Sequence, residues 1–165
     1  MAKAVFPTAV GPSITTRSFL FFTLRKRRIY SSTSSAAGAQ AIGEAFRIIE
    51  REDADLMLAG GTDSKINAMG IARLHSLGLL SFQNHEPSKA YCPFDQRHDG
   101  IVIGEGAGLI ILEEWNHARR RGAKIYAEIV GYGSSSDFNY DPNKAEDFMG
   151  KKNAMTGALQ DAAMA

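Results

Sequence analysis

This sequence predicts an α/β fold with a largely parallel core sheet, and three observations carry that expectation. Leu56-Met57-Leu58-Ala59 and Ala107 to Leu112 are short apolar runs, as expected of strands buried on both faces, and Tyr126 to Val130 reads as a third strand. Between and around them stand segments of helical period. Ala39, Ile42, Ala45, Phe46 and Ile49 recur at three- and four-residue spacing. Glycines and polar residues punctuate the borders, so strands and helices alternate as they do in α/β domains.

Each element follows in order. The first helix runs from Ala37 to about Glu52, and Asp53-Ala54-Asp55 leads into the first strand, closed by Gly60-Gly61. Residues 66–80 read as helix and loop, and Phe82 to Ser88 as a polar surface stretch. After the second strand, Trp115 to Arg121 forms a short helix. Arg119-Arg120-Arg121 suits a helix C-terminus, and Gly122 suits a left-handed cap. Tyr126 to Val130 is the third strand, and Asp147 to Met164 an Ala-rich helix. Three strands with an unmatched half leave unpaired edges, so either a partner chain or further sequence is expected to cover them.

Composition narrows the function classes. A chain of 165 residues, 44% hydrophobic and 22% charged, has the make-up of one soluble globular domain. One cysteine, Cys92, excludes an intramolecular disulfide framework and a thiolate zinc site. The apolar runs fall far short of the roughly 20 residues that span a bilayer, so no membrane partner is expected. The net charge of +1 gives no overall drive toward nucleic acid.

That charge is unevenly spread. Residues 1–43 hold six of the 19 Lys and Arg and none of the 18 acids, giving +6, and the rest of the chain carries −5. The apolar stretch Ser18 to Leu24 precedes the basic run Arg25-Lys26-Arg27-Arg28, the reverse of a secretory signal. An acid-poor, Arg- and Ser-rich start has the composition of a mitochondrial transit segment, with Arg28-Ile29-Tyr30-Ser31 as a cleavage zone. The plainer alternative is a solvated basic segment.

Several residues invite chemistry. Ser34-Ser35 stand at the start of the first helix, where unpaired amides stabilise anionic oxygen, so Ser35 is a candidate nucleophile. The plainer reading is that serine there caps the helix. Gly104-Glu105-Gly106-Ala107-Gly108 is not a dinucleotide fingerprint, since Leu109 stands where a glycine is needed and the glycines precede a strand. They are expected to give the backbone a tight entry into that strand. Asp95, His98 and Asp99, like His75, His85 and His117, lack metal-ligand spacing. No metal or cofactor is expected. Cys92 has no basic neighbour or helix N-terminus to lower its pKa, and reads as inert.

In combination the motifs become specific. Ala37 to Gly43, Asp53 to Thr62, Pro93-Phe94-Asp95 with Asp99 to Gly108, Leu112-Glu113-Glu114 and Arg121 to Glu128, in this order and spacing, resemble the β-ketoacyl-acyl-carrier-protein synthases, most closely the synthase II type. The likeness runs from about Thr33 to Asp137. It implies part of a thiolase-like fold, of two similar α/β halves: the later part of the N-terminal half at 33–137 and the start of the C-terminal half at 138–165. Residues 1–32 are then an atypical basic segment. Gly11 to Thr16 resembles the strand that leads straight into the nucleophile turn in the family, so 16–32 reads as inserted or foreign. Cleavage near Tyr30 would discard that strand, which counts against the transit reading; a junction with foreign sequence is simpler.

The resemblance also implies an activity: acyltransferase chemistry of fatty-acid chain elongation, a decarboxylative Claisen condensation. Its partners would be acyl carrier protein with its acyl and malonyl thioesters, in a homodimer or heterodimer; the compartment would be the cytoplasm, or alternatively the mitochondrion. Thr33 to Gly38 matches the nucleophile turn and places Ser35 where the family has Cys. Gly70 and Leu74 match positions that shape the acyl pocket, Leu74 standing where an aromatic is common. Tyr140 falls at the first family His, and the second His would lie beyond Ala165. The chain alone is therefore expected to be inactive. The alternatives are a non-catalytic subunit resembling a chain-length factor, and thiolase-type chemistry on coenzyme A esters.

Overall fold

The computed structural model describes residues 4–5, 22–23, 34–136 and 149–163. Along the chain these form β1 (Ala4–Val5), β2 (Phe22–Thr23), α1 (Ala37–Glu50), β3 (Leu56–Ser64), α2 (Ala68–Ser76), β4 (Glu105–Glu113), α3 (Trp115–Arg120), β5 (Glu128–Ile129) and α4 (Met149–Asp161). The described residues fall in two compact units, one of 4–5, 22–23, 34–61, 108–136 and 149–163, the other of 62–107.

The hydrophobic core lies in the first unit. The three- and four-residue spacing of α1 turns Ala41, Ala45, Phe46, Ile48 and Ile49 to one side, where they are buried with Met57 and Ala59 of β3 and Leu112 of β4. Ile42, Ala54, Ile110, Ile129 and Tyr132 complete the cluster from its margin. The helix ends in a Schellman motif. Asp53 N–H donates to the Ile48 carbonyl and Glu52 N–H to that of Ile49, with Glu52 left-handed at φ 61°. α3 closes the same way: Gly122, at φ 69°, donates to Arg119 O and Ala123 to Ala118 O. The glycine cap expected there from the sequence is what the backbone uses.

The sheet departs from expectation. Strand order is β2-β3-β4, with β1 and β5 as a separate pair. β1–β5 and β2–β3 are antiparallel. So are β3 and β4, since Asp55 O accepts from Glu114 N, Thr62 Oγ1 bonds Gly106 O and Ser64 Oγ bonds Glu105 Oε1. Among the described residues the parallel contact is a single bridge, Leu80 to Ile101. The reason is the course of the chain. It leaves β3 at Ser64 and re-enters β4 at Glu105, at the same end, so residues 65–104 make an excursion instead of a crossover over the sheet.

β3 also runs on through Gly60-Gly61, where the sequence suggested a stop. A Cβ at Gly60 would fall on the Gly108 carbonyl oxygen of the neighbouring strand. The glycine is there for close backbone approach, not for a turn. Likewise, β4 begins at Glu105 and takes Gly106 and Gly108 into its length.

Beyond β5, the segment Gly131-Tyr132-Gly133 lies on the backbone of α4. Cβ atoms at the two glycines would strike the carbonyls of Ala158 and Ala154. Arg47 of α1 secures this edge: it bonds Glu50 at 2.7 Å and Asp161 at 2.7 Å, while Asp161 accepts from Tyr132 N at 2.8 Å. Ser135 Oγ donates to the Gly150 carbonyl. At the end of β4, Glu113 is fully buried, the one buried charged side chain among the described residues. Arg121 clasps both its oxygens, at 2.8 and 2.6 Å, and His117 Nδ1 stands 2.5 Å from Oε1. This is the bidentate geometry that makes an arginine–carboxylate pair strong. Glu114 caps α3 by accepting from the amides of Asn116 and His117.

Two outcomes follow from this packing. Gly60→Ala should destabilise the fold by about 1–3 kcal/mol, because the added methyl meets backbone that cannot rotate away; urea unfolding followed by circular dichroism reads the loss. The bonds from Arg121, then those from His117, outweigh burial and hold the Glu113 carboxyl below its ordinary value of 4.5. The carboxylate's contribution is therefore complete above that pH and is lost as pH falls through the lowered folded pKa. Between roughly pH 3 and 5 the melting temperature of Glu113→Gln should vary less steeply than that of the parent.

Candidate active site

Ser35 sits in a short 3-10 turn, Ser34–Ala36, that runs directly into α1. The residue at the N-cap position of α1 is Ala36, in helical conformation and with no side-chain acceptor, so the serine-cap reading is not what the helix uses. Ser35 is exposed at the tip of the helix. Its position follows from the packing below it. Ala37 and Ala41 are buried, and Gly38 lies against β3, close enough that a Cβ there would stand 3.7 Å from Gly61 Cα. The small residues bring the first turn of α1 onto the strand. A nucleophile at this tip has backbone donors within reach and a favourable dipole.

Gly70 and Leu74 belong to the second unit. α2 starts at the N-cap Asn67, whose Oδ1 accepts from Gly70 N at 2.9 Å. Glu105 fixes the turn before it, accepting from Ser64 Oγ and Ile66 N. Gly70 and Leu74 lie one turn apart on the same, half-buried side of the helix, and Leu74 O accepts from Leu79 N. The backbone supplies a structural reason for Gly70, since a Cβ would run into the Lys65 carbonyl oxygen. Tyr140 lies outside the described residues.

The polar loop residues have settled partners. Asp99 accepts from Ser81 Oγ, Phe82 N and Gln83 Nε2, and the Ser81 bond is the largest cause of its lowered pKa. Phe82, held there, meets the His75 ring edge-on at 5.6 Å. Asp95 pairs with Arg97, whose side-chain bond lowers the Asp95 pKa. Cys92 Sγ is 3.7 Å from Ala90 O. Among the described residues no three His, Cys, Asp or Glu gather as a metal site would require, and no helix is long and apolar enough to cross a membrane.

The sequence reading overlooked the Glu113–His117–Arg121 cluster, although its spacing of four and eight residues was a visible signal. The Asp99 and Glu105 hubs had none, because their partners lie 16–18 and 39–41 residues away.

Residues 10–118 match the β-ketoacyl synthase N-terminal domain. A mitochondrial 3-oxoacyl-[acyl-carrier-protein] synthase of Arabidopsis thaliana is 49% identical over 133 residues, covering 80% of this chain and 29% of that protein. 3-Oxoacyl-[acyl-carrier-protein] synthase 2 of Vibrio cholerae is 45% identical over 139 residues, covering 84% and 34%. Among solved structures, a type II polyketide ketosynthase in complex with its acyl-carrier protein and bound to the hexaketide superposes with a TM-score of 0.73. It is 37% identical, over 83% of this chain and 34% of that one. The chain thus spans about a third of the length of the curated relatives it matches. The α/β fold is that of part of a thiolase-like fold, and the chain belongs to the β-ketoacyl synthase family through its N-terminal domain.

Proposed function

We propose that this chain derives from a 3-oxoacyl-acyl-carrier-protein synthase of fatty-acid elongation and that by itself it does not condense. The observation that carries the reading is the family domain at 10–118 with Ser35 at the exposed helix tip. In the parent reaction an acyl group passes from the thiol of acyl carrier protein to the nucleophile, releasing that thiol. Malonyl-carrier protein then loses carbon dioxide, and the resulting enolate carbon attacks the acyl carbonyl. A carbon–carbon bond forms and the nucleophile leaves.

Ser35 takes the nucleophile position, where a thiolate would react near neutral pH but a hydroxyl needs a base. Tyr140 stands for the first family histidine, whose donor would stabilise the enolate oxygen. Gly70 and Leu74 border the acyl chain. Acyl carrier protein and its thioesters are the partners, and the working unit is a homodimer or a heterodimer. We assign residues 1–32 to an inserted or foreign segment, 33–137 to the synthase N-terminal half and 138–165 to the start of the second half. The compartment is the cytoplasm; the mitochondrial name of the Arabidopsis relative supports the alternative.

A second reading, a non-catalytic subunit resembling a chain-length factor, draws on the serine at the nucleophile position. It calls for stable association with an intact synthase on co-expression. The test of the main reading is direct. Purified chain given acyl- and malonyl-carrier protein should yield no 3-ketoacyl product by mass spectrometry, and product formation would sink the proposal. Ser35→Cys should gain the mass of an acyl group from acyl-carrier protein while the parent chain does not; no gain would remove Ser35 from the nucleophile position.

A further inference from the structure

The connection from α2 to β4 turns on one dipeptide, Asp99-Gly100, and a different constraint fixes each half of it. Asp99 is fixed by its donors. Its Oδ1 accepts from Ser81 Oγ at 2.6 Å and from Gln83 Nε2 at 3.0 Å, and its Oδ2 accepts from Phe82 N at 3.0 Å. Gly100 is fixed by close approach of backbone, since a Cβ there would stand 2.5 Å from Leu80 C and Ser81 N. Just beyond it, Ile101 N donates to Leu79 O at 2.8 Å and Ser81 N to Ile101 O at 3.0 Å, across the parallel bridge of Leu80 and Ile101. The loop therefore needs an aspartate and a glycine side by side. It is the one Asp-Gly pair in the chain, which contains no Asn-Gly.

That pair has a chemistry of its own. Glycine has no Cβ to shield its amide nitrogen, which can attack the side-chain carboxyl carbon of the aspartate before it. The N–Cγ bond forms, a carboxyl C–O bond breaks, and the amide hydrogen leaves with the hydroxyl as water. The cyclic imide then takes up water at either carbonyl. Opening at Cγ restores aspartate; opening at the main-chain carbonyl gives isoaspartate, with the backbone now running through Cβ and the carboxylate directly on Cα. The fold opposes the first step twice. Ring closure needs the carboxyl to turn onto its own chain, which it cannot do while both oxygens are held from residues 81–83. It also needs a protonated carboxyl, because hydroxide leaves a carboxylate poorly. The bonds from Ser81, then from Phe82, keep Asp99 ionised by lowering its pKa. The restraint lies at an exposed site, where local opening costs little. After conversion the carboxylate arm is shorter and the main chain longer by one carbon, so neither the three donors nor the Leu79–Ile101 bond can be met as before.

We propose that Asp99-Gly100 is a site of isoaspartate formation gated by the bonds from Ser81, Phe82 and Gln83: each opening of the loop exposes the pair, and one conversion prevents the loop from closing again. The chemistry needs only water and this chain, so it stands apart from any condensing role. The full chain, kept at neutral pH and sampled over several weeks, is digested with endoproteinase Asp-N, which cuts before aspartate but not before isoaspartate. Electron-transfer fragmentation then places the extra backbone carbon. Ser81→Ala should convert at Asp99 about 10-fold faster than the parent, one of the restraining bonds being gone. Gln83→Ala should act in the same direction, and it stands in for Ser81→Ala if circular dichroism shows that one unfolded. The parent in urea should convert faster than either. Asp63-Ser64 in the same samples, its carboxylate paired with Lys65 instead, should keep its rate in the variants. In the converted chain the amides of Phe82 and Ile101 should exchange with deuterium faster than in the parent. A folded parent that converts as fast as the urea-unfolded chain, variants no faster than the parent, Asp63 speeding up along with Asp99, or a converted loop that exchanges like the parent's would each overturn the proposal.

Discussion

The close seating of α1 on β3 fixes the geometry of the first unit. Ala37, Ala41 and Ala45 are small enough to let the helix axis approach the strand, and Gly38 meets Gly61 where the two come nearest. Phe46, Ile48 and Ile49 fill the wider space farther along, against Met57 and Leu112. A larger residue among the alanines would lift the first turn and move Ser35 with it. The tip of the helix is therefore positioned from below, by side chains that take no part in chemistry.

The two units are held by different forces. In the first, apolar side chains interlock and Glu113 is the charged exception, tolerated in the interior because Arg121 and His117 answer it. In the second, order comes from polar staples, chiefly Asp99 and Glu105, each gathering donors from separated segments. Such bonds define shape well but add little stability at an exposed site. The contrast matches where the buried apolar side chains lie, nearly all of them in the first unit.

Much of this was legible in the residues because it is local. The spacing of Ala39, Ile42, Ala45, Phe46 and Ile49 marked α1, and Gly122 marked the end of α3. What escaped depends on neighbours distant in sequence. Gly60-Gly61 looked like a turn because nothing in the local sequence announces the Gly108 carbonyl that lies against Gly60. Glu52 takes a left-handed conformation that sequence assigns to glycine, since α1 must release the chain there to reach β3. Strand direction was misjudged because alternation of helix and strand does not say whether a connection crosses the sheet. For the site, helix periodicity placed Ser35 at a helix start and put Gly70 and Leu74 on one side of α2. It could not reveal that Asn67 and the Lys65 carbonyl hold Gly70 in place.

The two arginine clasps differ in how much chain they enclose. Glu113 and Arg121 are eight residues apart, whereas Arg47 and Asp161 are separated by 114. Drawing the second pair together from an open chain costs about 2 kcal/mol more in loop entropy than the first. The β4–α3 corner can therefore close on its own terms, with its buried charge already answered. The clasp of Arg47 on α4 closes a far longer loop, so the packing of α1, β5 and α4 around it must offset the larger entropic cost.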